Sequence, residues 1–361
     1  MIKSWSYKEE YKKNRKTILK AIDKTLLSGD LFFGKQLANF ENNFKKLNKS
    51  KYGIAVGSGT DALIIALKAL GVGRNINDEV ITVSNTAIPT AAAIKSAGAK
   101  PIFVDVGDDY LINPLEIKRA INKNTKAIIP VHLYGQPCKM DDIIKIAKKF
   151  KLKIIEDCAQ AHGAKIGDKK VGSYGDVSCW SFCRDKIISA GEGGMLVTKT
   201  QKLFYQAWCY REGGRNIKLM KNNKPKNSGF KYIHDFFGLN SRMTTIQSAL
   251  CNYQLKHLDQ NIKKRNKISN KYINIIKKYN FLEVYSSATN ITDSYYRLYF
   301  KINKNLKKRK KIRELLLNQF IEAKLPIEEG SCSEIYKEKS FRKKNKFIVL
   351  NNASILSQVS L

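Results

Sequence analysis

The chain of 361 residues contains no apolar run near the roughly eighteen residues that a membrane-spanning helix needs, which argues for a soluble protein. Its amino terminus, MIKSWSYKEEYKKNRK, has no apolar h-region and carries Glu9 and Glu10. It therefore reads as neither a secretory signal nor a transit peptide, and a cytoplasmic location is expected. Seven cysteines form no C-x-x-C pair and no spacing of the disulfide or zinc kind, so they read as reduced, mostly buried thiols, and no metal site is expected. There is no internal repeat and no low-complexity linker.

Acidic residues are also scarce: 31 Asp and Glu stand against 66 Lys and Arg, a formal charge of +35. Such an excess is compatible with nucleic acid, an anionic membrane face or an acidic small molecule. Distribution decides among them. The basic residues run through the whole chain with modest clusters at KKNRK, KNLKKRKK and FRKKNK, and few aromatics interleave with them as a single-strand stacking platform would require. The surface is read as solvated and lysine-biased, with a positive field that helps an anionic small molecule bind; neither nucleic acid nor membrane is the expected partner.

What is present is alternation. Seven short apolar runs read as strands of one large, mostly parallel sheet: YGIAV (Tyr52 to Val56), EVITV (Glu79 to Val83), KPIFVDV (Lys100 to Val106), AIIPV (Ala127 to Val131), KIIED (Lys153 to Asp157), VSCWSF (Val177 to Phe182) and GGMLVT (Gly193 to Thr198). Helical segments separate them; in TDALIIALKALG, Ala62, Leu63, Ala66, Leu67 and Leu70 recur at helical spacing before Gly71 ends the run. From about Met243 the pattern is helical for about ten turns, with one expected break. SYYRLYFKI then reads as a strand and KKRKKIRELLLNQFIEA as a helix. The organisation is an α/β domain over residues 1–250, including the N-terminal segment, followed by a smaller α+β domain over 251–361.

Three features carry chemistry. In AVGSGTDAL a strand enters a glycine turn that opens a helix, and backbone N–H groups near Gly59 and Thr60 are placed to bind an anion. The turn lacks the P-loop lysine and the full dinucleotide glycine spacing, so an ordinary strand-to-helix turn explains it equally well. In LKIIEDCAQAHGA a strand ends in Glu156 and Asp157, with Gln160 and His162 following. A carboxylate there either pairs with a protonated ring nitrogen, as an electron-sink cofactor of the pyridoxal type requires, or caps a helix. In SFCRDKIISAGEGGMLV a strand delivers Ser181 at its end and Lys186 five residues later, before a glycine turn. A lysine amine in a cofactor pocket can form a Schiff base and shuttle a proton.

These motifs, with SGDLFFGKQLANFE, AGAKPIFVDV, AIIPVHLYGQP, GSYGD and GLNSRM in one order from about Trp5 onward, resemble the DegT/DnrJ/EryC1/StrS family of sugar aminotransferases. The resemblance implies an aspartate-aminotransferase (fold type I) architecture and the cofactor pyridoxal 5'-phosphate, which becomes pyridoxamine 5'-phosphate in the half-reaction. It makes Lys186 the Schiff-base lysine and proton shuttle, Asp157 the partner of the pyridine nitrogen, and Gln160 a neighbour of the ring hydroxyl. Ser181, with the backbone at Gly59 and Thr60, would hold the phosphate. Asn240 would reach the same phosphate from the second subunit of a homodimer. His162 and His132 would sit near substrate or serve as structural histidines. The implied partners are L-glutamate and a nucleotide-linked ketosugar, in deoxyaminosugar and glycan biosynthesis.

Two departures stand out. Many relatives carry an aromatic where this chain has Ala87, which removes one candidate for stacking on the cofactor ring. With its surroundings NTAIPTAAAI, that small residue points to amination at C3 of a dTDP-linked 3-keto-6-deoxyhexose; C4 amination of a UDP- or dTDP-linked 4-keto sugar is the alternative. The end, NNASILSQVSL, reads as one short element less than relatives have after Leu361. Loss of that element would expose apolar surface of the small domain. Two further readings compete: a sugar dehydratase of the same fold, which Lys186 argues against because such relatives carry histidine there, and a non-catalytic nucleic-acid-binding regulator.

Overall fold

The computed structural model describes residues 6–217, 234–285, 287–303 and 309–323. Cys332, the FRKKNK cluster and the terminus at Leu361 lie outside the described residues. Two helices, α1 (Lys8–Leu27) and α2 (Lys35–Leu47), precede an alternating series: β1 (Tyr52–Val56), α3 (Gly59–Ala69), β2 (Glu79–Val83), α4 (Ile88–Ser96), β3 (Lys100–Val104), α5 (Pro114–Ala120), β4 (Thr125–Ile129), α6 (Met140–Phe150) and β5 (Lys153–Asp157). A short excursion, β6 (Lys165–Ile166) and β7 (Lys169–Lys170), leads to β8 (Val177–Ser181), β9 (Gly194–Thr198) and α7 (Gln201–Arg211). Then follow α8 (Thr245–Leu255), α9 (Leu258–Ile276), β10 (Leu282–Val284), β11 (Ile291–Thr292), β12 (Phe300–Ile302) and α10 (Arg309–Glu322).

All seven expected strands join one sheet, in the order β1-β9-β8-β5-β4-β2-β3. β9 alone is reversed, antiparallel to both β1 and β8; every other pair is parallel. The strands read as continuous apolar runs because helices cover both faces: Val80, Ile81, Ile128, Ile129 and Ile155 are each fully buried. Burial of each such side chain contributes about 1.5–3 kcal/mol. Behind β8 and β9, Phe40 and Phe44 of α2 meet Trp180 and Phe182 edge-to-face with centroids 5.2–5.6 Å apart, which anchors α2 to the sheet.

Differences from the expected boundaries have local causes. β4 starts at Thr125 and stops before Pro130, which has no N–H to give a ladder. β3 ends at Val104, and Val106 forms only an isolated bridge with Ile112. The expected break in the long C-terminal helix falls at Lys256 and His257, between α8 and α9. Only Phe300–Ile302 of SYYRLYFKI is strand. Its first half is irregular because its backbone bonds to the loop between β4 and α6 instead: the Ser294 N–H to Gly135 O at 2.9 Å and the Arg297 N–H to Tyr134 O at 3.3 Å. The six described cysteines are free, five of them buried. Among the described residues no helix is long and apolar enough to cross a membrane.

Candidate active site

Parallel strands bring their carboxyl ends to one edge, where open α/β sheets bind ligands. Because β9 runs backwards, its first residue also lies there: Gly194 pairs with both Val56 and Ser181. The chain from β1 into α3, the end of β8 and the turn before β9 thus converge. A Cβ at Gly59 would stand 2.7 Å from Ser181 Cβ, so only glycine allows the helix start this close to the serine. Ser58 caps α3 by accepting the Asp61 N–H at 3.0 Å, and the Gly57 N–H goes to Ser241. The N–H groups of Gly59 and Thr60 have no acceptor among the described residues. Ser181 Oγ accepts the Cys183 N–H at 3.3 Å and keeps its own hydrogen to donate. Two helix-start amides and a hydroxyl form a cradle that suits a phosphate.

The two carboxylates at the end of β5 point to opposite faces. Glu156, fully buried, accepts the N–H groups of Tyr174 and Gly175 on one oxygen and those of Gly172 and His132 Nε2 on the other, at 2.7, 2.7, 2.7 and 3.2 Å. Burial opposes its charge, yet these donors prevail and hold it below the usual carboxylate value. Asp157 accepts the Ala159 N–H at 3.1 Å and the Thr90 hydroxyl at 2.9 Å, and Thr90 in turn lies 3.1 Å from the Thr86 hydroxyl. Among the described residues no cation pairs with Asp157, and burial pushes its carboxyl up despite these bonds and the charge of Lys186. A buried carboxylate lacking a cation is what a protonated ring nitrogen fits.

Lys186 follows Ser181 by five residues in a loop that α8 clamps: Gln254 Oε1 accepts the Ser189 N–H at 2.9 Å and its amide donates to Ser189 O. The ε-amine is mostly buried, 3.5 Å from Asp185 and 3.3 Å from the Tyr296 hydroxyl. Burial pulls the ammonium toward neutrality, but Tyr296 and Asp185 outweigh it, so Lys186 sits above the ordinary lysine value. Tyr296 is itself shifted upward by burial and stays neutral near pH 7, which makes Asp185 the ionised neighbour.

Gln160 is oriented by a strained backbone. Tyr134 adopts a left-handed conformation at φ 58° and donates its N–H to Gln160 Oε1 at 2.8 Å, so that among the described residues the amide nitrogen is left to donate elsewhere. His162 is 1% exposed between Trp180 and Phe182; among the described residues neither ring nitrogen has a hydrogen-bond partner of good geometry, and burial pushes its value down to about 3, so the ring is neutral. His132 takes the structural alternative: Nδ1 accepts the Cys138 N–H at 3.0 Å, which makes Nε2 the proton carrier toward Glu156. His132, Glu156 and Cys158 lie within 4.8 Å of one another, but these bonds occupy the ring nitrogens and the carboxylate, and burial keeps the thiol protonated. Asn240 is exposed, while Ser241 Oγ beside it bonds Asp61 at 2.7 Å and Arg242 bonds Glu212 at 2.6 Å. Ala87 caps α4 and is exposed.

Lys186, Asp157, Gln160, Ser181, Gly59 and Thr60 therefore line one edge of the sheet, and they suit a pyridoxal-type group: an amine, a cation-seeking carboxylate, a free amide donor and an anion cradle. Thr90 and Tyr296 escaped the sequence reading. Thr90 carried a signal, its place one helical turn after Thr86 in TAIPT; Tyr296 carried none, because 110 residues separate it from Lys186.

A family model described as the DegT/DnrJ/EryC1/StrS aminotransferase family matches residues 12–356. The chain is 37% identical over 271 residues to a Micromonospora megalomicea protein named dTDP-3-amino-3,4,6-trideoxy-alpha-D-glucose transaminase, covering 74% of this chain and 69% of that one. It is 34% identical over 328 residues to the GDP-perosamine synthase of Escherichia coli O157:H7, covering 91% and 85%. A solved structure of NtdA from Bacillus subtilis with bound cofactor PMP superposes with a TM-score of 0.84 at 27% identity, covering 96% of this chain and 77% of that one.

Proposed function

Because the chain belongs to the DegT/DnrJ/EryC1/StrS aminotransferase family, we propose that it moves an amino group from L-glutamate to a nucleotide-linked keto-deoxysugar, at C3 of a dTDP-3-keto-6-deoxyhexose. Pyridoxal phosphate supplies the electron sink that makes this exchange possible. Lys186 holds the cofactor and, once released, moves a proton between the donor carbon and the cofactor carbon. Asp157 holds a proton on the ring nitrogen, Gln160 donates to the ring hydroxyl, and Gly59, Thr60 and Ser181 bind the phosphate. His162, a buried neutral ring, would meet the substrate only as an uncharged wall. The excess of positive charge draws in the diphosphate.

The observation that carries this reading is Asp157, a buried carboxylate with hydrogen bonds but, among the described residues, no cation paired with it. A homodimer is part of the proposal, with Asn240 of one subunit serving the other's phosphate. Its exposure between fixed neighbours supports this, as do the exposed Leu31, Phe32 and Phe33 close by, where the Thr245 N–H bonds Leu31 O. The division at residue 250 into a sheet domain and a small C-terminal domain belongs to the same proposal, as does a cytoplasmic site of action in deoxyaminosugar biosynthesis.

C3 regiochemistry rests on the small Ala87 and on the 3-amino product in the name of the Micromonospora relative. The perosamine synthase relative keeps C4 amination as the second reading. Full-length protein loaded with pyridoxal phosphate, reduced with borohydride and mapped by mass spectrometry is expected to carry the label on Lys186, and Lys186→Ala to carry none; a label elsewhere rejects the assignment. Assay with L-glutamate against dTDP-linked 3-keto and 4-keto sugars is expected to consume the 3-keto compound. Turnover without glutamate would identify a dehydratase instead, and tight, sequence-sensitive, salt-dependent DNA binding by a protein that ignores the cofactor would identify a regulator.

A further inference from the structure

The ε-amine of Lys186 rests in a built receptor. Asp185 precedes it in the loop, and an ion pair between adjacent residues is poorly constrained without a third group. Tyr296 supplies that group: its hydroxyl donates to Asp185 Oδ2, accepts from Lys186 Nζ at 3.3 Å, and its ring lies 4.6 Å below the ammonium. Tyr296 is itself fixed from both sides. The Ser294 N–H and Arg297 N–H bond the left-handed loop at Tyr134 and Gly135, the Ser294 hydroxyl reaches Gly135 O, and Arg265 of α9 donates to Tyr295 O at 2.9 Å. A Cβ at Gly135 would strike Ser294 Oγ, so glycine is what lets the segment come this close.

We propose that Tyr296 is a positioning residue which, with Asp185, forms a parking site for the Lys186 ammonium whenever that amine is not bonded to the cofactor. The inference rests on the reading of Lys186 given above. It follows that the amine is held within the site after each release, and that it gives up a proton before it can take the cofactor again. Capture uses the neutral amine: nitrogen bonds the aldehyde carbon, the aldehyde oxygen leaves as water, and the proton lost from the ammonium goes to solvent. The groups that face the amine are Asp185 and Cys183 of its own loop and Tyr296 of the C-terminal segment. Its charge is also felt by Asp157 at the end of β5 and by His162 in the turn beyond. Arg265 adds positive charge at His162 from α9.

The test is the rate at which full-length protein, resolved with hydroxylamine, captures added pyridoxal phosphate, followed by the absorbance of the bound cofactor between pH 7 and 9.5. Removing the parking site frees neutral amine, so Asp185→Asn is expected to capture the cofactor about tenfold faster than wild type at pH 7.5, and Tyr296→Phe about threefold faster, with the gap closing as pH rises. A merely structural contact would slow capture on removal. Rates equal to or below wild type in both variants overturn the proposal, as does an equal acceleration in the control Tyr299→Phe, which removes a hydroxyl bonded to Gln136 and Asp109 instead. If Tyr296→Phe does not fold, Asp185→Asn alone decides by the same criterion. Absence of any label on Lys186 in wild type would instead sink the functional reading beneath it.

Discussion

Glu156 and Asp157 are consecutive, both buried, and opposite in character. On one face of β5 a carboxylate receives four N–H groups, and its charge is fully answered by the protein itself. On the other face a carboxylate receives one amide and one hydroxyl, and among the described residues no cation pairs with it directly. The first region is finished; in the proposed reading the second is completed by a protonated ring nitrogen. Burial penalises both anions alike, so the number and kind of donors set the direction of each shift.

The comparison is broken most severely by exchanging charge for amide on each side. Glu156→Gln turns two of its own hydrogens toward existing donors and is expected to cost about 3–5 kcal/mol in urea unfolding. Asp157→Asn is expected to leave the cofactor-free protein within about 1 kcal/mol of wild type, while transamination falls roughly 10²–10³-fold. Equal stability losses in the two variants would show that the two faces do not differ as described.

Acid sharpens the same contrast. Glu156 lies below its ordinary value, so its stabilisation is complete at neutral pH and is lost as pH falls through its folded value. Asp157 lies above, so its ionised form costs stability at neutral pH, and that cost is relieved as pH falls through its folded value. As pH falls below the ordinary Glu value of 4.5, cofactor-free Glu156→Gln is expected to lose melting temperature less steeply than wild type, whereas between pH 7 and 4 Asp157→Asn is expected to lose it more steeply.

Smaller changes follow on the Asp157 side. Thr90→Val removes the hydroxyl that steadies the carboxylate, and cofactor affinity measured by equilibrium titration is expected to fall roughly tenfold, with Thr90→Ser retaining most of it. Smallest is Ala87→Tyr, which returns a ring to an exposed position at the rim and is expected to tighten cofactor binding about threefold. Unchanged affinity would place Ala87 away from the ring.

Much of the scaffold was legible because buried parallel strands have to be apolar throughout, and seven such runs stand out between helical segments. The candidate site was legible where one stretch of backbone carries it: GSGT, the ED pair, and Ser181 with Lys186. What escaped was assembled across the chain. GSYGD gave no hint that its amides grip Glu156, which requires Gly172 in a left-handed turn packed on Trp180. Nor did SYYRLYFKI reveal that its first half forgoes strand pairing to bring Tyr296 to Lys186.

By itself the sequence determined which groups were on offer and where along the strands they stood, since alternation and turn chemistry are local properties of the chain. Only tertiary structure decided how each group is answered. Whether a carboxylate is sated or waiting, whether a histidine is spent, and what an amine rests against depend on donors brought from distant segments, and hydrogen bonds and charges act through space rather than along the backbone.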